Sequence, residues 1–456
     1  MEINGLFSDS NESTSIISQL ALSMVERVAK SNKSLADLML AAAIPHRFTL
    51  EILEAIRPAT GEEKSLEADL KQLRRLSFVK EIGHEVFMYH EEVRDAILHF
   101  CRSGEQRQQY IEYSDKLRIF FAENGQISEM LYHWLAVESE LAFIACRHRI
   151  QALIDRRDIL ECELLIKFVN EQVWNKTSLH VTFLSLAEIT LNLQLDKWEQ
   201  AVVDSRKILS TEITKEIKAI ALLNLGTGLN YLGKWLEAKN YLEEATKLFL
   251  ELEQPVPDTF LSLGWSYFRL GKQADALRAF QDALSLAQAI GHLPAKGGAL
   301  NSLGAHYFST KQWIASEKYY EMALKVRQTI DGGDFFVGRS FQNLSNVYLQ
   351  EKNIEKSISY AEKALSIQEK MDDQFGMSFS LEIMGVAFEK IGDLEKAIEF
   401  LERSLSIRRY LSAKKEIADT LTIMSRIYEI QGEKTKSVNY LTEANTLRSE
   451  LYHGNA

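Results

Sequence analysis

Residues 223–245 read LNLGTGLNYLGKWLEAKNYLEEA, and the phrase returns along the C-terminal half of the chain. It recurs as LSLGWSYFRLGKQADALRAFQDA at 261–283 and NSLGAHYFSTKQWIASEKYYEMA at 301–323. NLSNVYLQEKNIEKSISYAEKA follows at 343–364, then IMGVAFEKIGDLEKAIEFLERS at 383–404 and IMSRIYEIQGEKTKSVNYLTEA at 423–444. The anchors Gly226, Gly264, Gly304, Ser345, Gly385 and Ser425 are 38, 40, 41, 40 and 40 residues apart. A fixed period of this length means helical hairpins stacked into a solenoid, in which each unit buries its apolar face only against its neighbours. Such arrays serve as extended binding surfaces, so recognition is expected ahead of catalysis.

The anchor and the aromatic three residues after it (Gly264 and Tyr267) share one face of the first helix of the hairpin, helix A. Twelve residues after each anchor stands a small residue, Ala238, Ala276, Ser316, Ser357, Ala397 or Ser437, which lets the second helix, helix B, approach closely. Ala245, Ala283, Ala323, Ala364 and Ala444 seal the next contact. Gly233, Gly271, Gly392 and Gly432 fall between the helices, where a left-handed residue closes the turn. A weaker hairpin is expected at FLSLAEITLNLQLDKWEQAVVDSRKIL, with Trp198 and Ala201 in place of Trp313 and Ser316. This pattern is the tetratricopeptide signature, and the region from about 180 to 452 resembles that family. Its units, longer than the usual repeat, are similar to the variant of peptide-sensing regulators, kinesin light chains and STAND sensors.

The composition agrees with a folded helical chain. Over 456 residues, 46% are hydrophobic and 26% charged, with only five prolines. That length exceeds what one compact core fills, a limit a solenoid escapes. The net charge of −11 gives no general attraction to nucleic acid or acidic lipid. Cys101, Cys146 and Cys162 are scattered without a CxxC pair, as in proteins of a reducing compartment. The start, MEINGLFSDSNESTS, lacks the basic and apolar stretches of a signal peptide, and no apolar run nears the ~18 residues a bilayer requires. A cytoplasmic chain that does not enter a membrane is expected.

The N-terminal part has a different texture. A loose Ser/Asn/Asp-rich tail leads to a helix at Ile16–Lys30. Helices are predicted at Leu35–Ala43, at Thr49–Ile56 with Thr49 as N-cap, and at Ser65–Leu76, separated by breaks at Ile44-Pro45 and Pro58–Gly61. FVKEIGHEVFMYH then predicts a β-hairpin turning at Gly83-His84. Three helices followed by a hairpin is the order of a winged helix. LADLMLAAAIPHRFTLEILEAI, with LKQLRRLSFVKEIGHEVFMYHEEVRDAILHF, resembles the winged-helix region of NB-ARC/STAND signal-transduction ATPases. In that family this region stands between the nucleotide-binding module and a repeat sensor. Here nothing upstream matches GxxxxGK[ST], so the ATPase either belongs to a partner protein or the relation is one of architecture.

The expected organisation is a tail and helix at 1–30, a winged-helix-like domain at 31–102, degenerate helical hairpins at 103–180, and a solenoid of about six to eight hairpins at 181–456. The fold class is mainly α.

Binding is expected on the inner face of helix A, because the signature positions are structural. The tetratricopeptide resemblance puts the inner-face positions one, four and five residues after the anchor and two, three and six before it. These are Asn224, Asn230 and Tyr231; Leu261, Trp265, Phe268 and Arg269; Asn301 and Phe308; Arg339, Gln342, Asn343 and Asn346; Phe379, Glu382 and Glu389. The ladder of amides from Asn224 to Asn346 can hydrogen-bond an extended peptide backbone, and Arg269 or Arg339 can take a carboxylate. Trp265 and Phe268 offer an aromatic patch for an anchoring side chain. The same asparagines equally suit capping or solvation, and Trp265 equally suits burial between helices.

No HExxH, GxSxG, paired CxxC or phosphate-binding loop occurs, so no catalytic residue, metal or cofactor is expected. His99 and Cys101 are two apart on one helix and point apart, which argues against a dyad. His90 suits packing at the winged-helix edge, and the pairs Glu62-Glu63 and Glu91-Glu92 suit solvated surface. DNA is the rival ligand, through Lys71, Arg74 and Arg75 on the candidate recognition helix. Nine Lys/Arg against twelve Asp/Glu in 34–102 leave that domain at −3, unlike a phosphate-binding surface. The expected function is therefore a non-enzymatic adaptor or sensor that binds protein or peptide in the concave groove within a signalling or defence-type assembly, with a separate ATPase or effector as further partner. The alternative is a repeat-controlled transcription regulator binding DNA through the winged helix.

Overall fold

The computed structural model describes residues 12–56, 66–172 and 178–453. Most of the N-terminal tail, the break at Pro58–Gly61 and the pair Glu62-Glu63 lie outside the described residues. The chain forms two compact units: residues 1–152 with 160–177, and residues 153–159 with 178–456.

The first unit begins with α1 (Glu12–Ser31), α2 (Lys33–Ala42), α3 (Leu50–Ile56) and α4 (Leu66–Leu73). Asn32 caps α2 by accepting from the Leu35 amide, and the Thr49 hydroxyl accepts from the Ile52 amide at 3.2 Å to start α3. A two-stranded antiparallel sheet follows, β1 (Val79–Gly83) and β2 (Val86–Tyr89), in register Val79 to Tyr89. Three boundaries differ most from expectation, and the first is that α1 begins at Glu12, inside the stretch expected to be a loose tail. The last predicted helix stops at Leu73, because the amides of Arg75 and Leu76 turn back to carbonyls only three residues earlier. The hairpin turns at His84-Glu85, one residue late, because an irregularity between Glu81 and Gly83 leaves Gly83 paired with Val86. Glu85 then takes the left-handed φ of 58°.

Apolar residues of these helices and the hairpin share one core, including Met39, Phe48, Leu53, Leu73, Phe87, Tyr89, Ile97, Leu117 and Phe121. Phe48 exchanges both backbone hydrogen bonds with Phe87, which ties the start of α3 to the sheet. The unit continues through α5 (Glu91–Cys101), α6 (Arg107–Glu123), α7 (Ile127–Val137), and the parts of α8 (Ser139–Arg156) and α9 (Ile159–Gln172) outside residues 153–159. On α5, Cys101 is buried and His99 exposed, so they do point apart, and burial pushes the thiol up to about 12.

A polar cluster joins these elements. His46 reaches Glu129 at 3.0 Å and Glu171 at 3.1 Å, while its ring stacks on Phe168 at 3.9 Å. Arg94 donates to Glu171 at 3.3 Å and to the Tyr132 hydroxyl at 2.9 Å. Arg102 donates to the Glu171 carbonyl and to Gln172. Burial alone pushes the Glu171 carboxyl up, but the hydrogen bonds and charges of His46 and Arg94 outweigh it and hold it at about 2.

The second unit is a series of antiparallel hairpins. They pair α10 (Ser178–Gln194) with α11 (Trp198–Leu209), α12 (Lys215–Tyr231) with α13 (Trp235–Glu251), and α14 (Pro257–Arg269) with α15 (Gln273–Ala289). Next come α16 (Leu293–Ser309) with α17 (Trp313–Arg327), α18 (Asp334–Gln350) with α19 (Ile354–Lys370), α20 (Gln374–Lys390) with α21 (Leu394–Tyr410), and α22 (Lys414–Ile430) with α23 (Lys434–His453). These seven hairpins fall within the expected six to eight, and the weak repeat at 178–209 is one of them.

The anchors act as the sequence implies. A Cβ at Gly226 would meet Leu242 at 2.5 Å, one at Gly264 would meet Phe280 at 2.5 Å, and one at Gly304 would meet Tyr320 at 2.6 Å. The residue that fills the missing side chain stands sixteen positions after the anchor. Where the anchor is Ser345, that position is Ala361, and the Ser345 hydroxyl instead donates to the Ser357 carbonyl at 2.7 Å. With Ser425 as anchor the filler is Leu441, turned out to 43% exposure. The turn seven residues after the anchor is left-handed throughout, at Gly233, Gly271, Gly392 and Gly432 and also at Lys311 and Lys352.

Gly264→Leu is expected to destabilise the second unit by about 3 kcal/mol, since Phe280 is fully buried and cannot withdraw; denaturant unfolding followed by circular dichroism measures this. In the first unit, a carboxyl held below its ordinary value contributes stability that is complete above pH ~5 and lost as pH falls towards ~2. Glu171→Gln should remove that acid dependence and weaken the unit by about 3 kcal/mol at neutral pH, by leaving Arg94 buried without its counter-charge. Calorimetry between pH 7 and pH 3 reads both effects.

Candidate functional site

The expected residues lie on consecutive A helices, where most are engaged by other residues of the same or the neighbouring repeat. The Asn224 amide is buried and donates to the Thr190 hydroxyl at 3.1 Å. Asn230 donates to the Ser262 carbonyl at 2.8 Å and accepts from the Ser266 hydroxyl at 2.8 Å. Asn343 donates to the Asn301 amide oxygen at 2.9 Å, and Gln342 accepts from Gln368 at 2.9 Å. Arg339 donates to Asp373 at 3.1 Å, and its guanidinium lies 5.4 Å from the Phe335 ring centre. The amide ladder thus stitches adjacent repeats and, at Gln342, the two helices of one hairpin, and a peptide backbone would have to share these groups.

The stitches follow a register that the motif does not contain. Twenty-three residues after the anchor, near the end of helix B, stand Arg327, Gln368, Arg408 and Arg448 in the last four repeats. Each reaches the residue three before its own anchor: Arg327 donates to Asn301 at 3.1 Å, Gln368 to Gln342, Arg408 to Glu382, and Arg448 to Thr422 at 2.9 Å. Arg327, Gln368 and Arg408 also bond a hydroxyl of the following helix A, from Ser340, Ser380 and Thr420. In the repeats anchored at Gly226 and Gly264 the same two positions are Leu223 with Phe249 and Leu261 with Ala287, both apolar. The two positions therefore vary together inside one chain, a signal that inspection of helix A alone misses. Arg327 is buried among neutral acceptors, and burial pushes its guanidinium down to about 10.

Other residues of the expected set are less engaged. Arg269 is exposed and Asn346 half-buried, and no hydrogen bond or ion pair engages either among the described residues. Trp265 is half-buried, set edge-on against Phe268 at 5.4 Å and Phe280 at 5.5 Å, so one side packs and the other remains available. In the first unit, Lys71 lies on α4, while Arg74 and Arg75 fall in the turn after it; all three are exposed. Arg74 also pairs with Glu81 at 3.6 Å and lies over the Phe87 ring. Among the described residues, no group of three or more His, Cys, Asp or Glu could hold a metal, and no helix is long and apolar enough to cross a membrane.

Tetratricopeptide repeat models match residues 217–289 and 297–370, with further matches over 261–332 and 380–410. The matched hairpins are tetratricopeptide repeats. No curated protein sequence matches the chain. The fold is similar to the crystal structure of a signal-transduction ATPase with numerous domains (STAND) carrying a tetratricopeptide repeat sensor, from Pyrococcus horikoshii. That similarity has 15% identity and a TM-score of 0.58 and covers 98% of this chain and 67% of that one. It is also similar to a Rap protein complexed with Competence and Sporulation Factor, with 12% identity, coverage of 68% and 93%, and a TM-score of 0.52. The apo form of the quorum sensor NprR from B. thuringiensis gives 12% identity, coverage of 68% and 100%, and a TM-score of 0.50. At these identities the likeness is one of fold.

Asn301→Leu should cost about 2 kcal/mol by leaving Arg327 short of an acceptor. Combining it with Arg327→Phe, which copies the Leu223–Phe249 pair, should recover about half of that loss, as a urea double-mutant cycle would show.

Proposed function

We propose that this tetratricopeptide repeat protein, which resembles STAND proteins, is a non-enzymatic adaptor or sensor that binds a protein or peptide segment along the inner face of its A helices. The observation that carries this is the half-buried Trp265 with the unpaired Arg269 on α14 and the unpaired Asn346 on α18, two repeats further on, which offer an aromatic, a cation and an amide. An aromatic with one side free anchors an apolar side chain, and an amide with both groups free takes a peptide bond. Rap bound to Competence and Sporulation Factor and the quorum sensor NprR share the fold, in keeping with a signalling ligand. The intramolecular stitches of Asn224, Asn230, Asn301, Gln342 and Asn343 give that face a fixed shape before any ligand arrives, which lowers the ordering cost of binding. Arg339 is neutralised by Asp373, so Arg269 is the stronger candidate for an acidic ligand group. The N-terminal unit would pass occupancy to a separate ATPase or effector protein.

The test is a displayed random-peptide library panned on the full chain. Selected peptides should lose tenfold or more in affinity with Trp265→Ala or Arg269→Ala, equivalent to about 1.4 kcal/mol, and less with Asn346→Ala. Arg278→Ala, on helix B, should leave binding unchanged. Peptides released by Arg278→Ala and indifferent to the inner-face variants would move the binding surface to the outer helices.

A further inference from the structure

Residues 153–159, LIDRRDI, belong to the second compact unit, and their side chains engage its repeats in a chain of specific contacts. Asp155 meets His292 at 3.1 Å, and His292 at the same time caps α16 by accepting from the Ala295 amide. Arg156 pairs with Asp331 at 3.2 Å. The Ile154 carbonyl accepts from Gln194 at 2.7 Å, and Arg157 donates to the Gln194 carbonyl at 2.8 Å. The Arg157 guanidinium lies 4.0 Å over the centre of the Phe335 ring. The charged and titratable groups acting on it are Asp196, Asp373, Arg339 and Tyr231. Tyr231 and Arg339 are inner-face positions of their repeats, so this short segment lies where a groove ligand would lie.

The balance of charge around Arg157 is specific. Asp196 and Asp373 bring two negative charges and Arg339 one positive, which leaves one negative charge for one incoming cation. A planar guanidinium can stack on Phe335 and donate to a carbonyl together, which an ammonium does poorly. Removing Arg157 would leave Asp196 and Asp373 sharing Arg339 as the one cation acting on both. We propose that residues 153–159 hold the place of the groove's ligand, and that the ligand they stand in for is a peptide bearing an arginine, received between the Phe335 ring and the carboxylates of Asp196 and Asp373. This rests on the groove being the binding surface, and it adds both the chemistry of the ligand and the element a ligand must displace.

The backbone supplies a clean variant, because Arg157 has a φ of 59° and glycine adopts that conformation freely. The probes are two labelled synthetic peptides, ALIDRRDI and ALIDRADI, titrated against the full chain by fluorescence anisotropy. The Arg157→Gly chain should bind the first at least tenfold more tightly than the second. Wild type should bind it at least tenfold more weakly than Arg157→Gly does, since a tethered competitor acts at millimolar effective concentration. Asp196→Asn added to Arg157→Gly should abolish the preference for arginine. Arg157→Gln, which removes the charge but keeps a polar side chain, serves as a second host for the same comparison. Equal affinity for the two peptides in both hosts, or equal affinity of wild type and Arg157→Gly for the first, overturns the proposal. Peptides that bind without arginine preference yet are released by Trp265→Ala leave the groove as the binding surface and remove only the cation site. Peptides indifferent to Trp265→Ala remove the groove itself.

Discussion

The repeat unit depends on one close approach, that of helix A to helix B at the anchor. There the side chain of Leu242, Phe280, Tyr320 or Leu401 occupies the volume that a Cβ would need. Everything else in a hairpin follows from that contact. It sets how deeply helix B seats, which places the small residue twelve positions on, and it sets the rotation of helix A, which decides which residues face inward. The serine anchors show that the constraint is volume rather than glycine as such. Ser345 is tolerated because its filler has shrunk to Ala361 and its hydroxyl finds a carbonyl. Packing at interior density leaves no other way to accommodate the added atom.

Much of this was legible because period and residue size are properties of sequence. The steps between anchors announce hairpins, and small residues at a fixed offset announce the contact between their helices. The order of helices and hairpin in residues 12–101 was also legible, down to the Thr49 cap. The late hairpin turn was not, because a bulge shifts pairing by one residue without changing the alternation that reveals a strand. The polar cluster of His46, Arg94, Arg102 and Glu171 was hidden for another reason. Its members lie on separate elements, and a lone arginine on α5 looks the same in sequence whether solvated or buried.

The intramolecular partners of the candidate residues were not legible from helix A alone. The inner-face register found Asn301, Gln342 and Asn343, but a position on helix B decides what those amides do. Arg327 and Gln368 look like ordinary polar ends of amphipathic helices until they are compared with Phe249 and Ala287 in the same register. Only then does the exchange of leucine–phenylalanine for asparagine–arginine identify a contact. Trp265 was open between burial and display, and the fold divides it between the two.

The register of these ties makes the solenoid a composite of two materials. At the end of helix B the tie is apolar in the repeats of Gly226 and Gly264, where Asn230 alone of the named ties bonds Ser262 and Ser266 across the joint, and from Gly304 onward it is hydrogen-bonded and partly ionic. A stack of this kind is a one-dimensional chain whose strength at each joint is set by the local interface. Apolar joints lose strength on cooling and are strengthened by excluded osmolytes, whereas the hydrogen-bonded joints depend on water being kept from a few buried groups. The two ends of the array therefore answer different variables of the surroundings. The more apolar joints around Gly226 and Gly264 yield first to cold, and those held by Arg327 and Arg408, in the repeats of Gly304 and Gly385, yield to anything that competes for an arginine.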